Sequence, residues 1–255
     1  MRYGEDAVEE RMMLWVERHW RTAFWLLFAG ACAYFLYYKW GQIRWLALSD
    51  TDDNMRLAEV KAWLGGQGWF DLRQHKLAPP EGLNIHWSRI VDLPIAALIL
   101  IFKPLVGDFT AQRIACAVAP MLAFGPALWA MIVTVRRIVH PRAYPIAFAI
   151  LMCAQTSLFM WMPLRIDHHG WQLAMLLLVI AGLADPNGRR GGATAGVSLA
   201  TVRIGNPQAS RLGVVVGFGA KGRQEGDSQC EQHHQINDPV RLLVKVCLAF
   251  HSFLF

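Results

Sequence analysis

An all-α, polytopic membrane fold is predicted by three features of this sequence. Of its 255 residues, 55% are hydrophobic, above the roughly 45–50% of ordinary soluble domains. These residues are gathered into blocks whose interiors carry no charge, while Lys and Arg collect at the block ends. The pattern predicts about four transmembrane helices, plus a long external loop carrying a re-entrant or interfacial helix.

The first block, TAFWLLFAGACAYFLYYK, lies between Arg21 and Lys39 and ends on paired tyrosines and Trp40, an aromatic belt. With no small-residue cleavage site after it, it is read as an uncleaved anchor. Residues Ile114 to Val135 form the second uncharged run, closed by Arg136 and Arg137, and Ala143 to Leu164 form the third. Each can cross roughly 30 Å of hydrocarbon at about 1.5 Å per residue. The fourth, Gly170 to Ala184, reaches only about 22 Å and needs part of the preceding loop. Leu93 to Phe102, bounded by Asp92 and Lys103, is too short to span.

Topology follows from the basic residues. Arg2, Arg11, Arg18 and Arg21, then Arg136, Arg137 and Arg142, then Arg189 and Arg190 all face the cytoplasm if the Leu93 block stays at the outer face. Residues 1–21 are then a cytoplasmic segment and 22–190 the membrane domain, with an external loop over about 41–110. The segment 191–255 is polar, Gly-rich and without a period. It is expected to be poorly ordered and reads as the end of a truncated or frame-shifted chain. The expected location is a bacterial inner (plasma) membrane, multi-pass, with the N-terminus cytoplasmic.

The net charge of +6 is explained by these flanking residues, so nucleic acid is not expected as a partner. The five cysteines are scattered without metal-ligand spacing, which predicts neither a zinc site nor a disulfide framework.

Three polar clusters fall on the outer side. Asp50, Asp52 and Asp53 place three carboxylates within four residues, hard oxygen ligands suited to Mg²⁺ or Mn²⁺. The same residues also suit a helix N-cap with acids in the first turn. In RIDHHGWQ, Asp167 and His169 alternate and can pair on one ion, although histidines at a membrane surface are often only interfacial. A passage from Pro79 to Asp92 offers His86, Trp87 and Arg89 for stacking and anion contacts. Arg56, Arg89 and Arg165 are candidates for a phosphate clamp, since a guanidinium meets phosphate oxygens bidentately. Each also fits an ordinary surface or snorkelling arginine. The two acidic clusters share one side of the membrane, so they are expected to meet over one ion, with Asp50, Asp52, Asp167 and His169 as ligands.

The order of these motifs resembles the GT-C membrane glycosyltransferases, and within them the oligosaccharyltransferase catalytic-subunit group. The resemblance covers roughly residues 20–190. It rests on the acidic motif followed by Arg56, the P-x-G…W…D passage from Pro80 to Asp92, and the acid–His motif at Asp167 and His169. The chain is also similar to a set of bacterial membrane proteins sharing DTDDN, HWSR and DHHGWQ. The resemblance implies a divalent ion at the outer face, a polyprenyl-phosphate-linked sugar donor, and a base drawn from Asp50, Asp52 and Asp53. Which of Asp50 and Asp52 is the ligand stays open. Such proteins continue through many more helices, which this chain does not. Two other readings stand beside it: a transporter or transporter subunit using Asp and His for cations or protons, and a non-catalytic scaffold or inactive fragment.

Overall fold

The long apolar runs become helices, and the places where the helices stop are set by capping and by proline. The computed structural model describes residues 2–85 and 87–185; the expected tail at 191–255 and His86 lie outside the described residues. Most of these residues are helical, with one two-stranded ribbon between Leu64 and Asp92.

Helix α1 (Arg2–Arg18) leads through His19 into α2 (Trp20–Trp45), which closes on Leu46 in the left-handed region at φ 51°. Asp50 then starts α3 (Thr51–Leu64): its Oδ1 accepts the Asp53 amide at 3.0 Å, satisfying an otherwise unpaired first-turn donor. Asp52 and Asp53 in that turn add a favourable interaction with the helix dipole. The ribbon pairs β1 (Arg73–Gln74) with β2 (Leu83–Asn84) antiparallel.

Helix α4 (Asp92–Val106) turns through Gly107 alone into α5 (Asp108–Ile138). Gly107 has φ +81°, which an L side chain rarely adopts. The short block of the sequence is therefore a full 15-residue helix. It packs Ile95, Ala96 and Ile99 back along Ala115, Cys116, Ala117 and Ala119 of α5, with Ile43, Leu57 and Val60 completing this core. The alanines let the backbones approach closely. The stretch expected as a loop carrying one short helix thus holds α3, the ribbon and α4.

Helix α2 runs antiparallel to α5. Phe28 and Phe35 meet Phe124 at ring distances of 5.9 and 5.6 Å. The Arg136 guanidinium lies 4.9 Å from the Trp20 ring at one end, and Arg113 donates to the Arg44 carbonyl at the other.

The third uncharged run does not form one spanning helix. It breaks at Ala154 (φ −79°, ψ 73°) into α6 (Tyr144–Cys153) and α7 (Gln155–Phe159), and then unwinds to Leu164. Its second half is recruited to hold the next loop, and those tertiary bonds outweigh its hydropathy. Helix α8 (His169–Leu183) follows and packs on α5. Among the described residues only α5, with 31 residues, is both long and apolar enough to cross a membrane; α6 and α8 are shorter apolar helices. Helix α2 has the length, but Arg21, Lys39 and Arg44 lie along it.

Candidate functional site

A proline positions the RIDHHGWQ loop. Pro120 lies inside α5 and has no N–H, so the Cys116 carbonyl one turn earlier loses its helical donor. The Leu164 amide takes that place at 2.9 Å. Leu164 itself sits at φ 74°, and the chain reverses there towards Arg165. The far side of the loop is tied by Trp161, which is 1% exposed and packs on Phe124 at 5.6 Å. Its indole N–H donates to the Gly170 carbonyl at 2.9 Å. Pro120→Ala restores a competing donor for Cys116, and amide exchange at Leu164 is expected to quicken about fivefold to tenfold, the loss of roughly 1 kcal/mol of hydrogen bond. Unchanged exchange at Leu164 contradicts this.

The two acidic clusters do meet, 114 residues apart in sequence: Asp53 Oδ1 accepts the Asp167 amide at 3.0 Å. Arg165 bridges them as well, donating to Asp53 Oδ2 at 3.2 Å and pairing with Asp50. Behind them Arg56, fully buried, donates to Asp92 Oδ1 at 2.7 Å and lies 3.5 Å from Asp167 Oδ1. Trp87 covers its guanidinium at 4.7 Å and reaches the His168 ring at 5.9 Å.

Asp167, His168 and His169 form the group best suited to hold an ion. One ligand atom from each lies within 4.8 Å of the others. His169 Nε2 and Asp167 Oδ2 are 3.3 Å apart. Two metal–ligand bonds of about 2.1 Å place their donor atoms roughly 3.0–3.4 Å apart, so this pair is already spaced for one cation. Asp167 Oδ2 is buried and accepts no hydrogen bond, and the His169 side chain is 46% exposed and open to solvent. Both observations fit a cation bound there.

The electrostatics separate the two central acids. Burial and the Asp167 charge push the Asp53 carboxyl up to about 7, against the amides that bond to it. Burial also opposes ionisation of Asp167, but the His168 hydrogen bond and the charges of His168, Arg56 and His169 prevail and hold it well below the usual carboxylate range. Burial lowers the His169 imidazole, which favours the neutral, ligating form. One acid of the pair is thus suited to carry a proton and the other to stay charged.

Several predicted residues stand apart from this group. Asp52, half-buried, makes no hydrogen bond or ion pair with the described residues. Asp50 is committed to capping α3 and to Arg165, the cap role its position also suggested. Arg89 is 3% exposed and staples the loop before β1, donating to the carbonyls of Trp69 at 2.9 Å and Asp71 at 2.5 Å. None of the three clamp arginines is free of such partners. Arg56 serves Asp92 and Asp167, Arg165 serves Asp50 and Asp53, and Arg89 holds a loop.

Sequence reasoning missed His168, Asp92 and Glu59. Asp92 is the final acid of the Pro80–Asp92 passage, and its i+3 spacing from Arg89 was a usable signal (the two side chains lie 3.8 Å apart). Glu59 is 1% exposed with both carboxylate oxygens unpartnered. Burial and then the Asp92 charge push it up to about 7, against the pull of Arg56 and Arg89. A carboxyl raised in the fold stabilises it fully below its ordinary value of 4.5 and loses that contribution as pH rises towards 7. The melting temperature is therefore expected to fall over that window, and Glu59→Gln should flatten the slope. An identical pH profile for the variant contradicts this. Asp53 adds a fall of the same sign, starting from 3.8.

No protein-family model, curated protein or solved structure matches this chain.

Proposed function

We propose that this chain is a polytopic membrane transferase of the GT-C type. It moves a sugar from a polyprenyl-phosphate-linked donor, with a divalent ion at the outer face of a bacterial inner membrane. The observation that carries this reading is the junction of the two acidic segments, Asp53 on the Asp167 amide, next to a preformed Asp/His/His group.

The proposed orientation is supported by distance. Arg136 and Arg142 gather around Glu17 and Trp20, at the end of α5 away from the site. The site is anchored at Cys116, about 30 Å of helix from Arg136, which is the thickness of a hydrocarbon core. A cytoplasmic N-terminus and an external site follow from the basic residues.

Asp167, His168 and His169 would hold the ion, and of Mg²⁺ and Mn²⁺ the imidazoles suit Mn²⁺ better. Such an ion would supply charge to offset the negative charge of the leaving phosphate. The protein's own contribution is placement. Asp53 fixes the Asp167 backbone, Arg56 and His168 keep the Asp167 carboxylate ionised, and Trp87 shields Arg56 from water. Asp53 is fully buried, so Asp52 is the acid left to meet an acceptor.

The reading is tested by following release of polyprenyl phosphate from a labelled donor by the purified protein with Mn²⁺. Release that stops with a chelator and with Asp167→Asn supports it. Equal release by Asp167→Asn would sink it.

A further inference from the structure

The fold buries Glu59 without pairing it. It is 1% exposed, and neither carboxylate oxygen has a hydrogen-bond partner among the described residues. A carboxyl in that setting is costly unless it carries a proton or finds a donor. Two unused donors lie near it. Arg56 stands three residues earlier on α3, on the same helix face, and its Nε is buried without an acceptor. Trp63, four residues after Glu59, continues that face, and the Arg89 guanidinium lies 5.7 Å from its ring. Arg89 Nη1 is likewise buried without a hydrogen-bond acceptor, 3.8 Å from Asp92 Oδ2.

Arg89 uses its other nitrogens on one loop. Its Nε donates to the Trp69 carbonyl at 2.9 Å and its Nη2 to the Asp71 carbonyl at 2.5 Å. As the side chains stand, Nη1 makes no bond to Glu59, so pairing requires the guanidinium to shift. A planar group that shifts carries its other nitrogens off the carbonyls they hold. The charges acting on Glu59 are Arg56 on its own helix, Asp92 at the start of α4, and Arg89 just before it. Lys103 of α4, Arg73 of β1 and Asp71 of the stapled loop are exposed. Burial and then the Asp92 charge hold the Glu59 carboxyl up at about 7, so it is neutral in mild acid and charged in mild alkali.

We propose that Glu59 and Arg89 form a proton-operated latch on the loop at 67–71. A protonated Glu59 leaves Arg89 on the loop carbonyls. An ionised Glu59, its proton lost to solvent, draws the Nη1 edge towards itself and releases the loop. The latch borders the candidate site, since Trp87, two residues before Arg89, covers the Arg56 guanidinium at 4.7 Å. It needs no bound ion and stands apart from the transferase reading.

The test is hydrogen exchange on the full chain in detergent, with a chelator present, at about pH 5.5 and about pH 8.5. Each amide's rate is divided by its intrinsic rate at that pH. The reporters are the Asp71 and Ile85 amides, which donate to the Gly68 and Leu72 carbonyls. In wild type they are expected to lose about tenfold in protection at the higher pH, the effect of one lost hydrogen bond from a charged group. Amides of α5 should keep theirs. Glu59→Gln should hold the low-pH protection at both pH values, and Arg89→Met, which has no donor, should show the reduced protection at both. Equal protection at the two pH values in wild type overturns the latch, and so does an equal fall in Glu59→Gln. A fall that α5 shares reports global unfolding and overturns it too. The wild-type comparison decides the matter even where a variant does not fold.

Discussion

Replacing Arg56 with Met is expected to destabilise the protein by about 3–5 kcal/mol. The guanidinium is fully buried, and its partners Asp92 and Asp167 are 1% and 3% exposed. Met fills similar volume, so the loss is electrostatic: two carboxylates remain in a poorly solvated interior with their shared counter-charge removed. The surface pair Arg142–Glu17 gives the contrast. Its side chains are 32% and 36% exposed, and Arg142→Ala should cost less than about 1 kcal/mol. Denaturation of both variants in the same detergent compares them directly. A cost below about 1 kcal/mol for Arg56→Met contradicts the buried network. The double variant Arg56→Met, Asp92→Leu should recover part of the loss, since it also removes one of the stranded charges.

The second large effect is expected at Gly170. A methyl group there would lie 2.6 Å from the Met160 carbonyl oxygen and 3.2 Å from Trp161 Cδ1. The first contact is with backbone, which a rotamer change cannot relieve. Gly170→Ala should therefore cost about 2–3 kcal/mol, the upper part of the range for overpacking. Because Asp167, His168 and His169 directly precede it, the strain should also spread their ligand atoms and weaken ion binding. Gly41→Ala is the control: no atom lies within 4 Å of the added methyl, and mid-helix alanine is favourable by up to about 1 kcal/mol. Similar stabilities for the two variants contradict the close approach of Gly170 to Met160.

The uninterrupted run that becomes α5 was legible in the sequence, because its length and lack of charge leave few alternatives. That the acidic segment meets RIDHHGWQ was expected from the sequence, but through Asp50 and Asp52 rather than through Asp53, whose Oδ1 accepts the Asp167 amide. Which aspartate faces inward was also written there. Asp53, Arg56, Leu57 and Val60 repeat at helical spacing and are all buried, so Asp53 lies on the core face of α3 and Asp52 does not. Reading the segment as an open metal-binding loop conceals that stripe.

The break at Ala154 was not legible. Hydropathy cannot show that Leu164 and Trp161 are held by Cys116 and Gly170, bonds that form only when α5 and α8 are in place. Glu59 was equally hidden, since an acid on a mixed helix face reads as solvated until a neighbouring element covers it. The arginines mislead for a related reason: charge is visible in sequence, but its neutralisation by Asp50, Asp92 or a loop carbonyl is not.

Whether Asp167 and its two histidines hold a divalent ion, as proposed above, is decided by Mn²⁺ titration of the purified full chain. Wild type, Asp52→Ala and Asp167→Asn should be compared at one pH. Saturable binding is expected in wild type and Asp52→Ala, with a loss of at least about a hundredfold in Asp167→Asn, which removes the one charged ligand of the group. Equal affinity in wild type and Asp167→Asn would contradict it.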